Sequence, residues 1–225
     1  MTVFTTTLAA TINQTTETSA RAPFIQQLSS GDLPLATFRY YLIQDNHYLT
    51  AFNRLHQEIA THLPANEGAI LSHLGEGEDA VRQRMHREIG LGTQELQETP
   101  VAPNAYSYIT HMYYQLDRYG AAAATAGLLP CYWLYSELAQ RLAVKHSPVH
   151  LYQEFFDSYT AADFTTSTEQ MKAIVNQQAA SVDELGRQQM TRAFQISCYY
   201  EEQFWQMAFD QQEWQIGRAS CRERV

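Results

Sequence analysis

Residues 35–61 read LATFRYYLIQDNHYLTAFNRLHQEIAT, and their apolar side chains recur at spacings of three and four. This spacing places the apolar side chains on one face of an α-helix, so the segment from Leu35 to Thr61 is predicted to be one long helix. Asp45 falls on the same face as Tyr41 and Tyr48, which are four and three residues away. The pattern therefore predicts a carboxylate that points into the core.

Helical periodicity dominates the rest of the chain as well, and strand signals are nearly absent. The further predicted helices span about 65–89, 104–119, 121–146, 149–158, 164–180 and 183–215. Residues 93–103 hold two prolines and are predicted to be a loop, with Asn104 as the cap of the helix that follows. The expected fold class is all-α, a single compact bundle of seven to eight helices over residues 1–215.

The composition is that of an ordinary globular protein, with 225 residues, 45% hydrophobic and 17% charged. The net charge of -9 argues against binding to nucleic acid, because such binding relies on Lys and Arg. The segment from Met1 to Thr5 lacks the pattern of a signal peptide, and the weakly polar run from Ala121 to Tyr135 is too short to span a bilayer. Three cysteines without a C-x-x-C pair fit a reducing compartment. We therefore expect a cytoplasmic protein that binds neither nucleic acid nor membranes.

The last ten residues, Ile216 to Val225, break this pattern because they are abruptly basic. Their sequence, IGRASCRERV, resembles the translation of a common sequencing adapter. We predict that residues 216–225 are a non-native tail and that a few genuine C-terminal residues are missing. Cys221 is therefore excluded from the site candidates.

A second informative segment is Pro130-Cys131-Tyr132-Trp133-Leu134-Tyr135, which lies inside a helical pattern. An interior proline removes one backbone hydrogen bond at a cost of about 3 kcal/mol, so it predicts a kink or a helix that restarts at Pro130. Cys131 and Tyr135 are four residues apart and share one helical face. A lone cysteine on an apolar face is most often an inert small hydrophobe, so this segment alone favours a core role for Cys131.

Other helices carry polar residues among aromatic ones, and each has two interpretations. A buried carboxylate is costly unless it is paired, so Asp45 is either a ligand-binding group or part of a structural salt bridge. Tyr108 either stacks on a flat ligand or is a core tyrosine. The apolar spacing favours Glu201 pointing inward and Glu202 outward, and the alternative is that both are solvated.

Motifs for metal and phosphate chemistry are absent from the sequence. It contains no Glu-x-x-His pair, no His-Glu-x-x-His, no glycine-rich phosphate loop and no nucleophile elbow. His73 and Glu76 form one possible pair on a helix, which is weak support for a metal. We therefore predict no metal and no cofactor.

Taken in order, these segments resemble the TenA/thiaminase II family, all-α proteins of the haem-oxygenase-like fold. The resemblance extends from about Pro23 to Phe209. The matching motifs are Pro23-Phe24-Ile25, Gly31-Asp32-Leu33-Pro34, Phe38 to Asp45, Ala105-Tyr106-Ser107-Tyr108, Leu129 to Tyr135 and Tyr200 to Trp205. Departures from the family pattern bear on substrate preference, and they are Ala22, Asn46, His47 and Glu202.

The resemblance implies hydrolysis of 4-amino-5-aminomethyl-2-methylpyrimidine to the hydroxymethyl pyrimidine and ammonia, with thiamine as a second substrate. It implies that Cys131 is the nucleophile, that Glu201 donates and accepts protons, and that Asp45 binds the pyrimidine amino group. The residues expected to line or stack on the ring are Tyr48, Tyr108, Tyr135, Tyr159 and Phe204. Members of the family are commonly homotetramers, so we expect a small pyrimidine as ligand and a homotetramer as assembly.

Two hypotheses of another class stay open. The first is a binding protein on the same fold that holds a pyrimidine or another flat ligand without turnover. The second is a haem or metal protein, which is disfavoured because no histidine is obviously placed as an axial ligand.

Overall fold

The computed structural model describes residues 3–74, 76–142 and 146–215. Within these ranges it contains eleven α-helices and no β-strand, which confirms the all-α class and corrects the predicted count of seven to eight. The helices are α1 Phe4–Arg21, α2 Pro23–Ser30, α3 Leu35–Ala60, α4 Ala65–His73, α5 Glu76–Glu88, α6 Thr93–Glu98, α7 Pro103–Tyr119, α8 Ala121–Leu142, α9 His150–Thr160, α10 Ala162–Ser181 and α11 Glu184–Asp210. The predicted tail, 216–225, lies outside the described residues. No helix in the described ranges has both the length and the apolar character needed to cross a membrane.

Several predicted boundaries are wrong. The segment predicted as one helix from 65 to 89 is two helices, α4 and α5, and α6 lies within the predicted loop 93–103 because both prolines of that segment follow α6. Asn104 is not a cap, since α7 already begins at Pro103, whose missing N–H suits the first turn of a helix. The last helix ends at Asp210 rather than 215, because Gln211 adopts a left-handed conformation with φ of 49°.

Helix α8 is the buried centre of the fold. It runs through Pro130 without interruption, so a restart at Pro130 is wrong, while a kink stays a prediction. Side chains on all sides of α8 are buried, and the helix packs against α1, α3, α7, α9, α10 and α11. A helix that is apolar on every side is stable only inside a protein, and this explains why α8 carries the longest weakly polar run of the sequence.

An aromatic cluster joins the helices around the start of α3. The ring of Trp205 on α11 stacks with Tyr41 on α3 at 5.8 Å between centroids and with Phe24 on α2 at 5.7 Å. The indole Nε1 of Trp205 also donates a hydrogen bond of 3.2 Å to the Ser19 hydroxyl on α1. Large aromatic side chains contribute much of the apolar area buried in a core, so Trp205 ties four helices together.

A buried histidine links α3 to α8 next to Cys131. Nδ1 of His56 lies 2.8 Å from the Phe52 carbonyl oxygen, and Nε2 lies 2.8 Å from the Tyr132 hydroxyl. Since a carbonyl only accepts hydrogen bonds, Nδ1 carries the proton and Nε2 accepts from Tyr132. Burial lowers the pKa of His56 from 6.5 to about 4, so this histidine is neutral at pH 7.

This histidine should make the stability of the fold sensitive to acid. Because the pKa of His56 is lower in the folded protein than in the unfolded chain, its contribution is complete above about pH 6.5 and is lost as the pH falls toward 4. Glutamine does not titrate in this range. Between pH 7 and pH 5, we therefore expect the unfolding free energy of His56→Gln to fall by about 2 kcal/mol less than that of the wild type. Urea unfolding at both pH values measures this difference.

Parallel pH profiles for the wild type and His56→Gln would contradict the assignment of a neutral, buried His56.

Candidate active site

The structure brings all eight residues expected from the family resemblance into one buried group. They come from five helices, and each is no more than 6% exposed. The eight are Asp45, Tyr48, Tyr108, Cys131, Tyr135, Tyr159, Glu201 and Phe204. We call this group the central cluster.

The thiol side of the cluster contains Cys131 and three tyrosines. Burial raises the pKa values of Tyr48, Tyr108 and Tyr135, and the charge of Cys131 adds to each of these shifts. Electrostatic influence of this kind requires proximity, so Cys131 lies near the three phenols. The rings of Tyr48 and Tyr108 are 4.9 Å apart, and Phe204 packs on Tyr48 at 5.9 Å.

The acid side of the cluster contains Glu201. Its Oε1 accepts a hydrogen bond of 2.8 Å from the Tyr108 hydroxyl, and the side chain is buried. The inward direction predicted for Glu201 is therefore confirmed. Glu202 does not point fully outward as predicted: it is half-buried, and burial raises the pKa of its carboxyl group.

Tyr48 carries a hydroxyl that protein groups leave unsatisfied. Its oxygen is buried and has no hydrogen-bond partner within the described ranges. The Tyr48 and Tyr108 hydroxyls interact closely enough to shift each other's pKa, without forming a hydrogen bond of ordinary geometry. Buried hydroxyls are nearly always paired in folded proteins, so the Tyr48 hydroxyl is available to a polar atom of a bound ligand.

The opposite end of the cluster contains an ion pair that the sequence did not reveal. Nε of Arg82 on α5 donates a hydrogen bond of 2.5 Å to Oδ2 of Asp45, and Nη2 of Arg82 donates to the Tyr159 hydroxyl. Asp45 is therefore part of a buried salt bridge, as one of its two interpretations predicted. Met85 and His86, which are three and four residues after Arg82, are buried on the same face of α5. This spacing in the sequence could have indicated that Arg82 is buried as well.

Aromatic contacts connect the two ends. The Tyr159 ring lies 4.7 Å from Tyr135, and Tyr135 lies 5.3 Å from Trp205. Burial and the charge of Asp45 raise the pKa of Tyr41, and an interaction with Tyr135 partly opposes this rise. The Tyr41 hydroxyl lies 3.4 Å from Oδ1 of Asp45. The cluster is therefore one continuous environment of phenol rings with an acid at each end.

Two cavities open to the surface next to Arg82. One, of about 600 Å³, is lined by Tyr159, Phe164 and Glu154 among others. The second, of about 640 Å³, lies across α5 and is lined by Asn46, His86 and Leu96 among others. Because Arg82 lines both cavities and bonds to Asp45, it stands between the central cluster and the surface.

A group with the residue types of a metal site lies on the surface instead. Ligand atoms of Glu88, His150 and Glu154 lie within 4.8 Å of one another. Two of these three residues are exposed. Oε1 of Glu154 already accepts a hydrogen bond of 3.0 Å from Nε of Arg84. The group therefore carries no metal assignment.

Comparison with known proteins identifies the family. The family model described as TENA/THI-4/PQQC matches residues 11–211. The chain belongs to this family. It is 34% identical over 199 residues to the aminopyrimidine aminohydrolase of Bacillus subtilis (strain 168), a match that covers 85% of this chain and 84% of that protein.

Solved structures confirm the predicted haem-oxygenase-like fold. The TenA homologue from P. horikoshii OT3 superimposes with a TM-score of 0.84 at 24% identity, covering 93% of this chain and 99% of that one. A domain with a heme oxygenase-like fold from Shewanella denitrificans OS217 gives a TM-score of 0.72 at 12% identity, covering 98% and 97% of the two chains. The eleven helices are thus arranged as in that fold.

The bond between Tyr108 and Glu201 leads to a stability prediction. Tyr108→Phe removes the donor and leaves a buried carboxylate oxygen with one bond fewer, so we expect the unfolding free energy to fall by about 1–3 kcal/mol. Urea unfolding at pH 7 measures the change. Tyr106→Phe is the matched control, because Tyr106 lies on the same helix and its side chain is exposed. Equal losses in the two variants would show that the bond contributes nothing.

Proposed function

We propose that this protein hydrolyses 4-amino-5-aminomethyl-2-methylpyrimidine to 4-amino-5-hydroxymethyl-2-methylpyrimidine and ammonia, with thiamine as a second substrate. One observation carries the proposal: Cys131 and Glu201 share a buried, phenol-lined cluster in a chain 34% identical to an aminopyrimidine aminohydrolase. The cluster offers a nucleophile, a proton-transfer group and flat apolar walls in one place.

The chemistry explains why a cysteine is needed. An amine on a methylene group attached to an aromatic ring leaves poorly, because direct expulsion yields no stable partner. In the proposed reaction the Cys131 thiolate adds to an electron-poor ring carbon, and the electrons released into the ring expel the protonated amine as ammonia. Water then adds to the exocyclic carbon, and the thiolate leaves as the aromatic ring reforms. The nucleophile must also be a good leaving group, which favours cysteine over serine.

Glu201 is the proposed proton carrier. It protonates the departing nitrogen and later takes a proton from the water that adds, so it starts each cycle in the same state. Tyr108 supports this role because its hydroxyl bond fixes the direction of Oε1.

Asp45 and the aromatic side chains are proposed to hold the substrate. Asp45 accepts a hydrogen bond from the pyrimidine amino group and stabilises the electron-poor form of the ring. Tyr48, Tyr135 and Phe204 keep the flat ring aligned for attack, since ring contacts restrict its orientation at little entropic cost. Tyr108 and Tyr159 complete the pocket at the two ends.

The proposal includes the setting of the enzyme. We take residues 1–215 as one domain, the cytoplasm as its compartment and a homotetramer as its assembly. Light scattering at several protein concentrations tests the assembly directly.

Substitution of the two reactive residues tests the proposed reaction. We expect Cys131→Ser to abolish detectable ammonia release, and Glu201→Gln to reduce it by about 10²–10⁴-fold, the usual contribution of a proton-transfer group. Ammonia is measured by a coupled assay with the aminomethyl pyrimidine and, in parallel, with thiamine. Cys198→Ala serves as the control, because burial raises the pKa of the Cys198 thiol and keeps it unreactive.

A binding protein would behave differently. If the wild type binds the aminomethyl pyrimidine but releases no ammonia, and Cys131→Ser binds equally well, the enzyme proposal fails and the binding hypothesis replaces it.

Alkylation of the thiol tests the position of the ligand. We expect the hydroxymethyl pyrimidine to slow the reaction of Cys131 with iodoacetamide at least tenfold, because a bound ring would cover the sulfur. Peptide mapping by mass spectrometry follows Cys131 and Cys198 separately. Equal rates at Cys131 with and without the pyrimidine would place the ligand elsewhere.

A further inference from the structure

We propose that Arg82 is a positioning residue for the pyrimidine site, where it fixes Asp45 and Tyr159 relative to each other. This inference rests on the proposed function for the identity of the ligand. The role itself is argued from the contacts of Arg82.

The guanidinium of Arg82 bonds to two residues of the central cluster on different helices. Its Nε donates to Asp45 on α3, and its Nη2 donates to Tyr159 on α9, while Arg82 itself belongs to α5. A planar group with donors at fixed angles sets the separation and orientation of both partners at once. No single contact between Asp45 and Tyr159 would do the same.

The packing around Arg82 leaves little freedom for another arrangement. The Arg82 and Asp45 side chains are each 6% exposed. The guanidinium carbon lies 5.3 Å from the Phe155 ring centre and 5.5 Å from that of Tyr159, within the range of cation–π contacts. A charge pair enclosed in this way is held by its geometry, because few water molecules are available to replace either partner.

The geometry also determines how Asp45 meets a ligand. Arg82 bonds to Oδ2, so Oδ1 is the oxygen directed toward Tyr41, at the long distance of 3.4 Å from its hydroxyl. A donor on the ligand, such as the pyrimidine amino group, would compete easily with that weak contact. Arg82 therefore selects which carboxylate oxygen serves the ligand.

Other ionisable groups surround this pair. On α5, His86 interacts with both Asp45 and Arg82, and burial lowers its pKa, so it is neutral at pH 7. The ionisable groups that interact with Tyr41 at this end are Asp45, Arg82, Tyr135 and Glu201. Among the described side chains that act on Tyr41, Arg82 is the only cation. Its loss would leave the negative charges of this group without a compensating positive charge.

A merely structural salt bridge would make a different prediction. If Arg82 only stabilised the fold, its replacement would lower stability and leave the affinity of the folded protein for a pyrimidine unchanged. If Arg82 positions Asp45 and Tyr159, the folded variant would bind the pyrimidine poorly. Affinity and stability must therefore be measured on the same variants.

The variants Arg82→Gln and Arg82→Lys provide the test. Arg84→Gln is the matched control, because Arg84 lies two residues away, is exposed and pairs with Glu154. Calorimetry with the hydroxymethyl pyrimidine gives Kd, the ammonia assay gives kcat and KM, and urea unfolding gives stability. We expect Arg82→Gln to raise Kd and KM at least tenfold while kcat falls less than threefold. Arg82→Lys should bind the pyrimidine more tightly than Arg82→Gln but more weakly than the wild type. Lysine supplies the positive charge without the planar set of donors of a guanidinium group. Arg84→Gln should match the wild type.

If Arg82→Gln does not fold, Tyr159→Phe removes the hydroxyl that accepts the hydrogen bond from Arg82 and should still raise Kd severalfold.

Each outcome separates the two proposals. Unchanged Kd and KM in folded Arg82 variants would overturn the positioning role and leave the proposed reaction intact. Pyrimidine binding that depends on Arg82, in a wild type that releases no ammonia, would overturn the proposed reaction and support the positioning role. A wild type that binds no pyrimidine would overturn both.

Discussion

Burial of helix α8 on all sides is the constraint from which the site follows. A helix enclosed by six others brings its own polar atoms, and those facing it, into a region with little water. Buried polar groups there need hydrogen-bond partners, and the Tyr132 hydroxyl finds one on α3 in His56. The Cys131 thiol lies on this helix, so its surroundings are built from phenols and carboxyl groups rather than from solvent.

The sequence predicted the fold class and the members of the cluster because both depend on periodicity and on ordered motifs. Leu35 to Thr61 was predicted almost to the residue, since one unbroken apolar face specifies a helix and its inward side chains together. Helix α6 was missed because it is short and polar and follows no such pattern. Family resemblance, rather than periodicity, selected Cys131 from among the buried residues.

Arg82 could not be predicted in the same way. Its partners are 37 and 77 residues away in the chain, and no local spacing connects α5 to both α3 and α9. The sequence offered two interpretations of Asp45, ligand binding and a salt bridge, as alternatives. The structure shows that they are compatible, because a carboxylate has two oxygens and Arg82 bonds to only one of them.

The two acids of the cluster have different partners, and this difference suits them to different tasks. Asp45 is bonded by a guanidinium, whereas Glu201 is bonded by the neutral hydroxyl of Tyr108. In the proposed reaction, the carboxylate paired with the guanidinium holds the amino group of the ring. The Tyr108 hydroxyl is uncharged, so its bond to Glu201 is not an ion pair that proton exchange on Glu201 would break. Separate partners thus allow two chemically identical groups to work in one pocket.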